Sequence, residues 1–282
     1  MVKLIASDVD GTIIDKNNKI PKENLEAIDK IHEKNIPFAI CTGKTYAVSE
    51  NICKQFNPTF GIFGNGTQII DFKNSKELLR NTLSKEDLLY ITTLVERFDL
   101  HLHIYTDKEI ISEKLKYMDL RNFLLKSKNS SIDLNFKIVG NITDYISKND
   151  LSVFSAVVSS ENSLFEFEQF INVNNNIMYQ FINKRGKYKD IIIEKEYEYI
   201  NISPTHIDKD ESVNFLTNYL KIKKQEVLAI GDNVNDLNMV KNSGIGVAVN
   251  EAYDELKQVA NYVTTKTTAE GAFSEAINKF IK

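Results

Sequence analysis

Hydrophobic and polar residues alternate along this chain in three different ways. The first third opens with a mainly apolar run, Val2 to Ser7, followed by Leu25, Ile28 and Ile31 at helical spacing, then by Pro37 to Cys41. Such a sequence of short runs and amphipathic stretches predicts strand, helix, strand. The last third repeats it: a helix around Val213 to Leu220, the run Val227 to Ile230, a helix from Asn235 to Lys241, and Gly246 to Val249. A helix around Tyr253 to Val259, a short strand Tyr262 to Thr264 and a closing helix from Glu270 follow. Continuous apolar strands separated by helices predict an α/β fold, a Rossmann-like, doubly wound parallel sheet covered on both faces.

The middle follows a different rule. Leu100, Leu102 and Ile104 alternate with His101, His103 and Tyr105, as in a strand with one face on a core and the other in water. Ser84 and Asp87 resemble a capping box ahead of a helix from Leu88 to Phe98, and helical spacing recurs near Tyr117 to Leu125 and Leu164 to Ile171. The expectation is an α+β domain inserted into the α/β one. A hairpin from Gln68 to Asn81 precedes it and Pro204 follows it, which gives a core of residues 1–82 and 203–282 and an insert of 83–202.

Composition narrows the functional classes. With 42% hydrophobic and 26% charged residues among 282, the chain is an ordinary globular protein long enough for two domains. The net charge of -4 offers no cationic excess to follow a nucleic-acid backbone or an anionic membrane. No apolar run reaches the roughly 20 residues that span a bilayer, and Asp8 interrupts the first run before a signal-peptide core forms. Cys41 and Cys53 are too few for a disulfide framework, so a reducing, cytoplasmic setting is expected. Nothing in the sequence implies a protein partner.

Candidate chemistry lies at strand ends, where ligands bind in open α/β sheets. Asp8-Val9-Asp10-Gly11-Thr12 follows the first strand, and Gly231-Asp232-Asn233-Val234-Asn235-Asp236 follows another at the far end of the chain. Taken alone, the first acidic run also fits a solvated turn, and the second reads first as a helix cap. If the two strands are neighbours, Asp8, Asp10 and Asp232 converge into an oxygen-rich site suited to Mg2+. A third strand end supplies Thr42 and Gly43, a hydroxyl and an approachable backbone N–H for a phosphate oxygen. A nucleotide-binding P-loop is excluded because its first glycine would fall at Phe38, and a cysteine-phosphatase loop because its arginine would fall at Ala47.

In these motifs the chain resembles the haloacid dehalogenase-like superfamily, in its Cof-type branch. Asp8 to Thr12 matches the first motif and Thr42-Gly43 the second. Lys209, before the Val213 to Leu220 helix, fills the third, and Gly231 to Asp236 the fourth; Gly246 to Asn250 and Gly271 resemble the closing segment. The resemblance implies a phosphatase of small phosphate esters, with sugar phosphates favoured and nucleotide or cofactor phosphates as alternatives. It assigns Asp8 as the nucleophile that forms an aspartyl phosphate and Asp10 as general acid and base. Mg2+ would take the Asp8 carboxylate, the Asp10 carbonyl and Asp232, with Asp236 supporting them. Thr42, Gly43, Lys209 and Asn235 would hold phosphate oxygens or their waters. Lys44 and Asp210 depart from the family pattern, which commonly has Arg and Gly there.

The insert resembles the family's cap, which closes over the core and contacts the leaving part of the substrate. Arg185, Lys187, Tyr188 and Lys189 form a basic and aromatic cluster suited to an anionic or sugar-like group. His101 and His103 share one strand face without a third ligand, which argues against a metal site there. Two other functions fit the same residues. A phosphomutase would return the phosphoryl group to a sugar, and a non-catalytic regulator would bind a phospholigand without turnover.

Overall fold

The structure, a computed structural model, describes residues 1–114, 135–183, 186–188, 191–193, 198–204 and 208–282. The chain divides into two compact units, Met1–Arg80 with Ile207–Lys282, and Asn81–His206.

The first unit is built on one sheet. Its strands are β1 (Leu4–Asp8), β2 (Phe38–Cys41), β3 (Phe60–Phe63), β4 (Gln68–Asp71), β5 (Lys76–Arg80), β14 (Val227–Gly231), β15 (Ile245–Ala248) and β16 (Tyr262–Val263). They lie in the order β16-β15-β14-β1-β2-β3-β4-β5. All pairs from β16 to β3 are parallel, and β4 and β5 add the predicted hairpin in antiparallel sense at one edge. Every residue of β1, β2 and β14 is buried, as a parallel strand covered on both faces requires. From β1 the chain steps to β2 on one side, and after the insertion it returns to β14 on the other. This reversal is a topological switch point, and it lies between the two strands that end in Asp8 and Gly231.

Strand parity decides which helix meets which residue. Ile5 packs with Ala27, Ile28 and Ile31 of α1 (Lys22–Glu33) and with Phe273, Ala276 and Ile277 of the last helix, Ala272–Phe280. Leu4 and Ala6 pack with Val213 and Leu216 of the helix Lys209–Leu220. Asp8 shares the parity of Leu4 and Ala6. Its side chain therefore lies on the face of the helix whose first residue is Lys209.

The second unit contains a six-stranded sheet in the order β10 (Ile177–Asn183), β13 (Glu198–Pro204), β9 (Val153–Ser160), β6 (His101–Thr106), β7 (Glu109–Ser112), β8 (Asn135–Ile138). Neighbours are antiparallel except β7 and β8. The helices Lys85–Arg97, Ile142–Lys148 and Phe165–Ile171 cover one face, burying Leu88, Ile91, Ile146 and Phe167 against Leu102, Ile104, Ala156 and Ile200. Ser84 caps the first of them: its hydroxyl accepts from Asp87 N at 3.0 Å and donates to Asp87 Oδ2 at 2.6 Å. A two-stranded ribbon pairs β11 (Gly186–Tyr188) with β12 (Ile191–Ile193).

One expectation for this unit is corrected. The face carrying His101 and His103 is not in water: the two are 3% and 4% exposed. Val157, Tyr199 and Tyr105 form a second apolar cluster on that face, and the His103 ring stands edge-on to Tyr105 at 5.3 Å. Alternation with histidine and tyrosine reads as polar in sequence, yet both rings carry enough apolar surface to be buried. The helix expected near Tyr117 to Leu125 lies outside the described residues. Among the described residues no helix is long and apolar enough to cross a membrane.

Candidate active site

Three loops, at the carboxyl ends of β14, β1 and β2, line the site. A cleft of about 180 Å³ is lined by Asp8, Asp10, Thr42, Gly43, Lys44, Asp232, Asn233 and Asn235. The acidic runs that end β1 and β14 thus come together with Thr42-Gly43.

At the floor, Lys209 is 0% exposed. Its Nζ donates to Asp8 Oδ1 at 2.5 Å and to Asp236 Oδ1 at 2.6 Å. Burial alone drives an ammonium toward the neutral form, but Asp236 and Asp8 outweigh it and hold Lys209 above its ordinary value. For Asp8 the balance is opposite. Burial raises its pKa well above the carboxylate range, Asp236 and Asp232 add to the rise, and Lys209 only opposes it. Asp232 is pushed up to about 6 by burial and by Asp236. Asp8, Asp232 and Asp236 present carboxylate oxygens within 4.8 Å of one another.

Those three carboxylates do different work. Asp236 gives one oxygen to Lys209 and the other to the backbone N–H groups of Asp232 and Asn233, at 3.0 and 3.1 Å. Its capacity is spent on shaping the loop after β14. Asp232 accepts from the buried Thr12 hydroxyl at 3.3 Å. Asp10 lies apart from them: its carboxylate pairs with Lys44 Nζ at 2.7 Å, with both side chains about two-fifths exposed. Lys44, the departure from the family pattern, therefore works on Asp10. The other departure, Asp210, accepts from Asn242 Nδ2 at 2.8 Å and from Lys224, a structural role behind the site.

Backbone conformation lets the loops approach. Gly11 has φ +87°, a left-handed conformation that side chains rarely adopt, and a Cβ there would strike the Asp232 carboxylate. The Thr268 hydroxyl donates to the Gly11 carbonyl at 2.6 Å and pins the same turn. Thr42 is 2% exposed at the end of β2, and its hydroxyl accepts from Lys44 N at 3.2 Å.

The placement of the sequence-derived candidates is uneven. Lys209 is sealed behind Asp8 and does not line the cleft. Asn235 lines the cleft but turns its donor away: Nδ2 donates to Asn65 Oδ1 at 3.0 Å, and its Oδ1 is a buried acceptor with no partner among the described residues. An acceptor suits a hydroxyl or a water, whereas a phosphate oxygen needs a donor. Arg185 and Lys189 lie outside the described residues. Lys187 and Tyr188 lie on β11 of the two-stranded ribbon. Sequence reasoning missed Thr12 as a partner of Asp232, and Asn65 and Thr268 altogether. Thr12 stood in the first motif; the other two carried no comparable mark.

The set fits a divalent cation. Asp8, Asp10, Asp232 and Asp236 are four carboxylates against two ammonium groups, Lys44 and Lys209, so the cluster keeps an excess of negative charge. Burial first, and then the neighbouring carboxylates, hold Asp8 and Asp232 above the ordinary carboxylate range. All free donors are oxygens, which hard cations prefer.

Known proteins place this geometry in a family. A model of haloacid dehalogenase-like hydrolases matches residues 5–277. The Bacillus subtilis 5-amino-6-(5-phospho-D-ribitylamino)uracil phosphatase YcsE is 27% identical over 289 residues, 99% of this chain and 96% of its own. The Methanobrevibacter smithii phosphoglycolate phosphatase is 25% identical, covering 99% of each chain. A haloacid dehalogenase-like hydrolase from Bacteroides thetaiotaomicron superposes with a TM-score of 0.80 at 23% identity over 99% of each chain. The chain belongs to the haloacid dehalogenase-like hydrolases, in their Cof-type branch.

Proposed function

We propose that this protein is a magnesium-dependent phosphatase of small phosphate monoesters, acting through an aspartyl phosphate on Asp8. The observation that carries this reading is the Lys209 ammonium buried between Asp8 and Asp236, at 2.5 and 2.6 Å. It fixes a carboxylate, one oxygen anchored from behind, at the floor of a cleft that also holds Thr42 and Gly43. A surface turn has no need of such an anchor.

Asp8 attacks phosphorus with a carboxylate oxygen, and the bond from phosphorus to the leaving oxygen breaks. Asp10 gives its proton to that oxygen. Water then attacks phosphorus, Asp10 takes the water proton, and the acyl-phosphate bond breaks to restore the Asp8 carboxylate and release inorganic phosphate. Thr42 and the Gly43 N–H hold the phosphoryl oxygens during both displacements. Asp8, Asp232 and the Asp10 carbonyl would hold Mg2+. When bound, the cation neutralises the charge that otherwise keeps an anionic ester away from Asp8.

The two named relatives act on a ribityl phosphate and on phosphoglycolate. Their common chemistry is a small phosphate monoester, and sugar or sugar-alcohol phosphates are the favoured class. The second unit is read as the cap that selects the leaving group. Two free buried cysteines, Cys41 and Cys53, accord with a cytoplasmic setting. Phosphate release across a panel of sugar, nucleotide and cofactor phosphates, with and without Mg2+, tests the proposal. Asp8→Asn turning over at near wild-type rate overturns the nucleophile. Dependence on a bisphosphate with little free phosphate selects a phosphomutase, and ligand affinity without turnover selects a regulator.

A further inference from the structure

The residue that controls Asn235 is one the sequence did not mark. Asn65 lies in the turn Gly64–Gly66 after β3, with φ +56°. Two backbone hydrogen bonds clamp this turn onto the loop after β2: Asn65 N donates to Thr42 O at 3.0 Å and Gly64 N to Lys44 O at 2.9 Å. The Asn65 amide packs over Gly43, where a Cβ would come within 3.3 Å of both amide heavy atoms. Its Oδ1 accepts from Asn235 Nδ2 at 3.0 Å. Asn65 is absent from the lining of the cleft, whereas Asn235 belongs to it.

With Nδ2 held, the Asn235 amide has one free end, Oδ1, which is sealed from solvent and unpaired. Buried acceptors are rarely left without a donor, so this one calls for a ligand-borne donor. The same cleft holds the oxygen donors of Asp8 and Asp232. Hydrated cations bring O–H donors into such sites, because Mg2+ keeps several of its waters. We infer that Asn65 is a positioning residue for cation binding: it orients the Asn235 amide so that Oδ1 accepts from a water on the bound divalent cation. The inference rests on reading the cleft as a magnesium-dependent phosphatase site.

Calorimetric titration of Mg2+ alone into the full chain, without substrate, tests it. Partners of this kind typically change metal affinity by ~10–100-fold. N65G, which Asn65's left-handed backbone accepts, and N235A are each expected to weaken Mg2+ binding about tenfold. The double variant N65G/N235A is expected to bind no more weakly than N235A, because both changes remove one device. N65D keeps an acceptor for Asn235 Nδ2 and is expected to retain tight binding, with thermal unfolding of each variant as the fold control. Wild-type affinity in N65G, losses that multiply in the double variant, or a loss in N65D as large as in N65G overturns the inference. Failure of the wild-type chain to bind Mg2+ overturns it together with the phosphatase reading, whereas intact wild-type binding unchanged in N65G overturns it alone.

Discussion

Lys209 and Asp236 are separated by 27 residues in sequence and by 2.6 Å in space, with both side chains fully buried. Burying charge is costly unless each partner is satisfied, and here one ammonium serves two carboxylates. Lys209→Met is expected to destabilise the apo protein by about 3–5 kcal/mol, the usual cost of orphaning buried charge. Urea unfolding measures it. Lys209→Met combined with Asp236→Asn is expected to cost less than Lys209→Met alone, since one orphaned carboxylate has gone.

The Asp10 and Lys44 pair separates stability from activity. Both side chains are substantially exposed, so Lys44→Ala is expected to shift unfolding free energy by under about 1 kcal/mol. Lys44 also lines the cleft and holds the proposed acid and base. Lys44→Ala is therefore expected to lower kcat/KM about tenfold, the scale of one charge-assisted hydrogen bond, with Lys44→Arg restoring most of it. Steady-state kinetics beside thermal unfolding reads both quantities.

His103 gives the second unit a pH dependence of known sign. Burial, and then His101, push its pKa down to about 3. Below the unfolded pKa of about 6.5 the unfolded chain takes up a proton that the folded one refuses. Stability from this residue is complete above about pH 6.5 and is lost as pH falls toward 3, by about 1.4 kcal/mol per unit of pH. Asp232, pushed up to about 6, works in the opposite sense between about pH 4 and 6. A local probe is needed: exchange of the amides of His101–Thr106 is expected to accelerate from pH 7.5 to 5.5 beyond the intrinsic change, and His103→Phe to remove that excess.

Gly11→Ala tests the close approach of the two acidic loops. The substitution meets both a left-handed backbone and the Asp232 carboxylate. A cost of about 1–3 kcal/mol in stability is expected, with a loss of Mg2+ affinity that Gly140→Ala, where an added Cβ meets nothing, does not show. Unfolding and metal titration of both variants decide it.

The strand ends were legible because parallel strands buried on both faces are written as apolar runs, and whatever polar residues follow them fall at one edge of the sheet. That logic found Asp8, Asp232 and Thr42 without geometry. Lys209 was singled out only by the family resemblance, as the lysine ahead of a helix, and its burial behind Asp8 depends on the parity of β1 and on the strand order, which no local window contains. Asn65 was illegible for a related reason: a Gly-Asn-Gly turn looks the same whether or not its amide meets another loop. The His101 and His103 face was misread because imidazole counts as polar in alternation, while its burial is decided by tertiary neighbours; on this face Val157, Tyr199 and Tyr105 form an apolar cluster beside the two rings.

The switch point between β1 and β14 also orders events in time. Asp8 and Lys209 are 201 residues apart, and β1 pairs with β14 along its length. On a growing chain, Asp8, the proposed nucleophile, is therefore made long before its anchor and its neighbouring strand. The contiguous second unit, which carries its own apolar cluster, has all its strands available first. The acidic cluster around Lys209 is assembled only when the last quarter of the polypeptide has emerged, so a nascent or truncated chain bears Asp8 without the lysine and the carboxylates that surround it in the folded protein.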